Sequence, residues 1–452
     1  MSRDLTKGNI FHELLIMSIP TMIGFSFQMF YGIVDIFWIG KISSEAIAGV
    51  TIFTTIFWVI ESLNEIIGVS SISLISQSFG KNDIERTNRA IEQTITFKFI
   101  VAFIAAILLS FFLKPVMGIF AETHVVNLGL EYGYIRLFFL PIMFSSFSAN
   151  TALRCIGDAK TPMIIMIITS ILNIILDPIL IFDRVPLLDI PGFNFGIKGA
   201  AIATIISQSI AFIIAFYILF SGKEGIKPSI KNLLKLDKKL DYKLITIGLP
   251  NGIQVFLRNL AHSVILKFVS IFGSTAIAAF GIGGRIFGFA FMPLIGFSMG
   301  GSAIVGQSLG DDNIDRAKKT GLVAGFSLTV TMLVFSVIVI LFGDNIIGLF
   351  TSDTEVIRMG SQFLEYGTIG LIFIGFGYGL TTVFSGSGFN MPYLISTTIS
   401  RWIIQIPLLL IFIQLFDLPI KWVWISFIFG DLIELFVFYF YYRSDKWKFK
   451  RV

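Results

Sequence analysis

The two halves of this chain align on each other. Ile19-Pro20 opens one long apolar stretch and Leu249-Pro250 opens another, and a shift of 230 positions holds them in register through several further strings. Ser43-Ser44-Glu45-Ala46 meets Gly273-Ser274-Thr275-Ala276, Ser76-Gln77-Ser78-Phe79-Gly80 meets Gly306-Gln307-Ser308-Leu309-Gly310, and Ile84-Glu85-Arg86 falls on Ile314-Asp315-Arg316. Pro162 falls on Pro392, whereas Leu130-Glu131-Tyr132-Gly133 recurs at Leu364-Glu365-Tyr366-Gly367 four residues out of step, so the repeat carries small insertions. Such a unit is far longer than a solenoid repeat. It predicts a duplicated bundle, a plan used mainly by membrane transporters.

The solvent for that bundle follows from composition. Of 452 residues 55% are hydrophobic and only 14% charged, with mean hydropathy +0.85 and repeated apolar runs of membrane-spanning length. The expected fold is all-α: a polytopic membrane protein of 12 transmembrane helices in two pseudo-symmetric six-helix lobes. The helices are placed at roughly 11–38, 45–78, 92–113, 125–154, 161–182, 197–220, 243–270, 275–306, 319–341, 357–386, 392–415 and 420–441. Six spans return the chain to its starting side, so the two copies share one orientation. The predicted boundaries are an N-terminal lobe over 1–221, a linker over 222–243 and a C-terminal lobe over 244–452.

The net charge of +5 has its explanation in topology rather than in a nucleic-acid partner. About 22 Lys and Arg fall on the side of the termini and the linker, against about six opposite. Both termini and the linker are therefore expected in the cytoplasm, in a cell membrane. Lys223, Lys227, Lys231, Lys235, Lys238, Lys239 and Lys243 recur at near-helical spacing, which predicts an amphipathic linker on the inner leaflet. The first apolar stretch reads as a retained span rather than a cleaved signal. Cys155 is the only cysteine, which excludes an intrachain disulfide and a CxxC metal site.

Ionisable residues inside spans carry the functional signal, because each is costly in hydrocarbon unless it faces protein or water. They are Asp35, Glu61, Glu65, Lys98, Arg136 and Asp177 in the first half, and Arg258, His262, Lys267, Arg285, Arg401, Asp431 and Glu434 in the second. Asp35 shares one face of the first span with Tyr31, Gln28 and Gly24, a polar or small stripe of the kind that lines a cavity. Asn173 and Asp177 stand four apart on the fifth span and address one spot. Two carboxylates with neutral oxygens suit a small hard cation or a proton-titratable pair. The structural alternative pairs Asp35 and Asp177 with Arg136, Lys98 or backbone donors. Glu61 and Glu65, one turn apart, extend an acidic surface toward a cationic substrate or pair with a basic neighbour. Met22 and Met29 offer an adaptable wall. Pro20, Pro250 and Pro407 are hinge candidates.

With these residues in view, the chain resembles the multidrug and toxic compound extrusion (MATE) transporters over nearly its whole length. The likeness rests on Ile19-Pro20, on Tyr31-Gly32-Ile33-Val34-Asp35, and on Gln77 to Gly80 before Lys81-Asn82-Asp83. It continues through Gly157-Asp158-Ala159-Lys160-Thr161-Pro162, Asn173 to Pro178, and Gly199 to Thr204. The resemblance implies two six-helix lobes around a V-shaped cavity and exchange of Na+ or H+ for organic cations and other amphipathic compounds. Within the family the chain is similar to the branch related to the DNA-damage-inducible F proteins, whose coupling acids lie in the N-terminal lobe. That likeness implies Asp35 and Asp177 as ion-coupling carboxylates, with Tyr31, Asn150, Asn173 and Thr204 as neutral partners. A sodium ion would take Asp35, Asn173, Asp177 and Thr204. The expected substrate wall is Gln28, Met29, Glu61 and Glu65, and Pro20 the hinge.

The resulting expectation is a monomeric secondary antiporter for mainly cationic amphipathic small molecules, embedded in the lipid bilayer and using no cofactor beyond its coupling ion. A lipid-linked oligosaccharide flippase is the alternative that Arg258, Lys267, Arg285 and Arg401 keep open, since a pyrophosphate needs basic groups. An intramembrane aspartyl protease would need a Gly-x-Gly-Asp string, and Ile156-Gly157-Asp158 follows Cys155 instead. No enzyme is expected. No Gly-x-x-x-x-Gly-Lys-Ser/Thr loop occurs, so the energy should come from an ion gradient.

Overall fold

The computed structural model describes residues 3–186, 189–222 and 225–452. In the first half the helices are α1 (Ile10–Gly40), α2 (Ser44–Gly80), α3 (Ile84–Met117), α4 (Thr123–Phe138), α5 (Leu140–Cys155), α6 (Lys160–Ile181) and α7 (Ile197–Phe220). A single turn, α8 (Ile230–Leu233), precedes α9 (Lys238–Ser270), α10 (Ser274–Gly310), α11 (Ile314–Gly348) and α12 (Thr354–Ser387). The eleventh span runs from α13 (Met391–Thr397) through a π-helical stretch (Thr398–Gln405), α14 (Ile406–Leu409) and a second π-helical stretch (Leu410–Leu415). The twelfth is α15 (Lys421–Arg443).

Ten of these segments are long and apolar enough to cross a membrane, and the bent pair α4 and α5 makes an eleventh. The expected twelfth is α9. Its 33 residues reach about 50 Å, but Asn251, Gln254, Arg258, Asn259 and His262 make it more polar than the others.

The sequence repeat has a structural cause at its loops. Asp83 and Asn313, 230 apart, are the N-caps of α3 and α11, and each side chain accepts from the backbone N–H of Arg86 or Arg316. Just before them Asn82 (φ 59°) and Asp312 (φ 56°) both adopt the left-handed conformation that turns the chain. The copies differ in the fourth span, where α4 and α5 meet at a 52° bend beside Pro141. Its counterpart α12 runs unbroken for 34 residues. Pro407 interrupts the eleventh span as expected, and the helix around it is wound wider on both sides.

The chain divides into two compact units, one over Ile23–Thr246 and the other over Asp4–Met22 with Ile247–Val452. These are not the sequence halves. The first boundary falls inside α1, two residues past Pro20, and the second inside α9. In the first unit Phe53, Phe57, Tyr132 and Phe144 anchor the core. In the second, Phe280 stacks on Trp424 and Phe363 packs tilted against both, its centroid 4.7 Å from that of Trp424.

Within the second unit the segment ahead of α1 is clamped. The Arg316 guanidinium donates to the carbonyls of Leu5 (2.9 Å), Lys7 (2.6 Å) and Gly8 (2.7 Å), while Leu5 N–H donates to Gln307 Oε1 at 3.0 Å. Within the first unit α3 holds the linker. Glu92 Oε1 accepts from Ser229 N–H (2.6 Å), Gln93 Oε1 accepts from Asp237 N–H (2.8 Å), and Arg89 and Thr96 donate to the carbonyls of Lys235 and Leu233. Those carbonyls are taken from the helical ladder, so between the α8 turn and the start of α9 the linker is not one continuous helix along its lysine pattern. Lys227, Lys231, Lys235, Lys238 and Lys239 stand exposed, and Lys223 lies outside the described residues.

Candidate ion-coupling site

The polar stripe of α1 points into the first unit. Gly24 packs so closely on α6 that a Cβ there would stand 2.9 Å from Met166 Sδ. One face further along, Gln28 and Met29 are half-buried, Tyr31 lies within hydrogen-bonding reach of Gln28 and Gln208, and Asp35 is buried. Asp35 Oδ2 accepts from the Tyr132 hydroxyl at 3.4 Å, and Arg136 Nη1 donates to that hydroxyl at 2.8 Å. Tyr132 thus stands between the acid and the base. Its place as a bridge had no signal in the sequence beyond membership of the displaced Leu130–Gly133 repeat.

On α6, Asn173 Nδ2 donates to Asp177 Oδ1 at 3.4 Å, the one-turn contact expected of i and i+4 residues, and reaches Thr204 Oγ1 on α7 at 3.5 Å. Thr204 itself donates to its own helix at Ala200 (3.2 Å). Asp177 is 0% exposed, and the charge of Asp35 acts on it. Asn150 on α5 donates to Ser146 of its own helix at 3.0 Å and makes no hydrogen bond to the other five predicted residues.

Satisfaction of these groups is incomplete in one specific way. Asp35 Oδ1, Asn150 Oδ1, Asn173 Oδ1 and Asp177 Oδ2 are all buried without a hydrogen-bond partner. All are acceptors. An unsatisfied buried acceptor costs about 1–3 kcal/mol, so acceptors left open on three helices of one unit suit a positively charged guest or a proton. Neither aspartate is in an ion pair among the described residues, and Asp35 is linked to Arg136 through the Tyr132 hydroxyl. No group of three or more His, Cys, Asp or Glu is gathered for a metal among the described residues. Two carboxylates with neutral oxygens suit a monovalent cation or a proton rather than a tightly held divalent ion.

Glu61 and Glu65 are half-buried on α2, and Asn64 Nδ2 donates to Glu61 Oε2 at 3.0 Å. Their basic neighbour is Lys98 of α3, which reaches neither at ion-pair distance.

The second unit holds a different arrangement. Arg258 on α9 pairs with Glu434 (2.7 Å) and donates to the Tyr378 hydroxyl (2.5 Å). Arg401, inside the π-helical stretch, pairs with Asp431 (2.6 Å) and Glu434 (3.2 Å) and donates to Gln405 Oε1 (2.8 Å). Two guanidinium groups and two carboxylates neutralise one another there. Two of the four basic residues that kept a pyrophosphate-binding reading open are consumed in this network, and the other two, Lys267 and Arg285, are exposed. His262 stacks on Phe280, centroids 5.3 Å apart, outside the hydrogen-bonded network.

Comparison with known proteins adds independent findings. The MatE family model matches residues 20–179 and again 250–411, the two halves of the repeat. "Probable multidrug resistance protein YoeA" of Bacillus subtilis (strain 168) is 25% identical, over 100% of this chain and 97% of its own length. Multidrug export protein MepA of Staphylococcus haemolyticus (strain JCSC1435) is 28% identical, over 91% of this chain and 89% of its own. Among solved structures, a MOP superfamily transporter from Pyrococcus furiosus superimposes with TM-score 0.89 at 24% identity, covering 97% of this chain and 96% of that one, which establishes the shared fold.

Proposed function

The chain belongs to the MatE family of transporters, and on that premise we propose that it exports amphipathic organic cations in exchange for Na+ or H+, with Asp35 and Asp177 as coupling carboxylates. It is a multi-span helical membrane protein and not an enzyme. The observation that carries the coupling assignment is the set of four buried, unpartnered oxygens on Asp35, Asn150, Asn173 and Asp177. Thr204 and Tyr31 complete the neutral partners. Gln28, Met29, Glu61 and Glu65 form the substrate wall, because carboxylates at low local dielectric attract cations over anions.

Loading the site with an ion or a proton satisfies the open acceptors and changes how α1 packs on α6 and α7. Pro20 lies two residues from the point where α1 passes from one compact unit to the other, which supports a hinge there. A ligand shifts a conformational equilibrium only through differential affinity for its states, and an ion bound in one state and released in the other supplies that difference. Each charge moved down a 100 mV potential adds roughly 2.3 kcal/mol. The protein works as a monomer in the cell membrane, with both termini and the linker on the cytoplasmic side where its lysines concentrate.

The test is export from proteoliposomes with sodium and pH gradients imposed separately. Asp35→Asn and Asp177→Asn should each abolish gradient-driven export while the protein still inserts. Near-normal coupled export by the double variant, or loss of coupling in Asp431→Asn instead, would move the site out of the first unit.

A further inference from the structure

The linker presents outward the side chains that a segment in open water would hide. Leu234 is 90% exposed, Ile230 64% and Leu236 54%. Ile230 and Leu234 stand four apart across the α8 turn and so share a face. Exposed lysines stand among them at Lys227, Lys231, Lys235, Lys238 and Lys239. Over 225–243 six lysines against Asp237 and Asp241 leave a net positive charge, and on the adjoining α3 Arg89 and Glu92 cancel each other at 3.5 Å.

The height of this segment is fixed on α3. The Thr96 hydroxyl donates to the Leu233 carbonyl at 2.8 Å, and Arg89 and Gln93 donate to that of Lys235. Three residues beyond Thr96 begins the run Phe99–Leu113, which holds no ionisable residue and exposes Phe99, Phe103, Ile107 and Phe111 along one side. That row is a lipid-facing surface of the span, and at 1.5 Å per residue it starts about 5 Å from the level of Leu233. Leu234 therefore meets the boundary between headgroups and acyl chains rather than open water.

We propose that residues 227–239 form a docking surface for anionic lipid, with Ile230, Leu234 and Leu236 seated at the acyl boundary and the lysines among them on headgroup phosphates. Apolar side chains gain burial there while lysine stems carry their charge back to the phosphates. Ties to α3 at Ser229, Leu233, Lys235 and Asp237 hold the segment in shape, so it meets the bilayer as a preformed strap rather than as a helix folding on contact. A water-soluble partner would have to reach leucines already level with lipid, which makes the bilayer the occupant. The surface is independent of which ion drives export and of what is exported.

Depth and charge selection are read separately on the full-length protein in nanodiscs of phosphatidylcholine with phosphatidylglycerol. On a Cys155→Ser background a single spin label is placed at Leu234→Cys or, for reference, at Lys238→Cys. The label at position 234 should be more accessible to oxygen than to a water-soluble nickel chelate, and the label at position 238 the reverse. Selectivity for spin-labelled phosphatidylglycerol over spin-labelled phosphatidylcholine should fall at least twofold when Lys231→Gln, Lys235→Gln and Lys238→Gln are combined. Arginine at the same three positions should keep the wild-type selectivity, and free glycerol phosphate should not compete. Nickel-dominated accessibility at position 234 would put the leucines in water, open to a protein partner, and overturn the proposal. Unchanged lipid selectivity in the glutamine variant, or its abolition by glycerol phosphate in the wild type, would overturn recognition of an anionic bilayer.

Discussion

Gly370 on α12 lies flush against the carboxylate of Asp431 on α15, with no room for a Cβ between them. Gly430 does the same service for Arg401, since a Cβ there would stand 2.8 Å from Nη1. The buried ion network of the second unit is thus built into gaps that two glycines leave open. Gly370→Ala should push Asp431 away from Arg401 and lower stability by about 1–3 kcal/mol, the usual cost of overpacking. Thermal unfolding of the detergent-solubilised protein measures it, and an unchanged melting point would mean that Asp431 has a second place to go.

The same network predicts a non-additive pair. Arg401 serves both Asp431 and Glu434, while Arg258 serves Glu434 alone, so Arg401→Met leaves Asp431 buried without a counter-charge. Breaking a buried pair from one side costs about 3–5 kcal/mol. Arg401→Met with Asp431→Met keeps the Arg258–Glu434 pair and should recover most of that loss. If the double variant shows the sum of the two single losses, the four residues are not one network.

The plan of two six-helix lobes was legible because a register shift of 230 positions and the apolar runs speak directly to chain topology. The candidate coupling residues were legible because Asp35, Asn173 and Asp177 are polar where the bilayer penalises polarity. What stayed hidden depended on long-range approach. Arg258, Arg401, Asp431 and Glu434 were each visible as misplaced charges, but nothing in their spacing could join the seventh, eleventh and twelfth spans. Tyr132 is an ordinary aromatic until folding sets its hydroxyl between Asp35 and Arg136. The unit boundary inside α1 was equally invisible, because an unbroken apolar helix gives no local sign of changing partners.

Arg316 makes three charge-assisted hydrogen bonds to the carbonyls of Leu5, Lys7 and Gly8, so one side chain holds the segment ahead of α1 at three points. Arg316→Ala should free residues 5–8. Hydrogen exchange at the Leu5 amide should accelerate by at least tenfold, and trypsin should cut at Lys7 where it does not cut the wild type. Unchanged protection would show that the Leu5–Gln307 contact and the buried Leu5 side chain hold the segment alone.

On the proposed assignment, Thr204 should separate the two coupling ions. A sodium ion in the first unit needs neutral oxygens as well as carboxylates, and the Thr204 hydroxyl lies next to Asn173 on the facing helix, 3.5 Å from its amide. A proton needs only a carboxylate. Thr204→Val keeps the shape of the side chain and removes the oxygen, so sodium-driven export should fall by about 10–100-fold, the range seen when the support of an ion site is lost. Export driven by a pH gradient alone should continue at the wild-type rate in the same vesicles. Asp177→Asn, by contrast, should stop export under either gradient, because it removes the proton acceptor and an ion ligand together. Equal loss of sodium-driven and pH-driven export in Thr204→Val would mean that the hydroxyl holds α6 and α7 together rather than binding the ion, and the sodium arm of the assignment would then fall to Asp35, Asn173 and Asp177 alone.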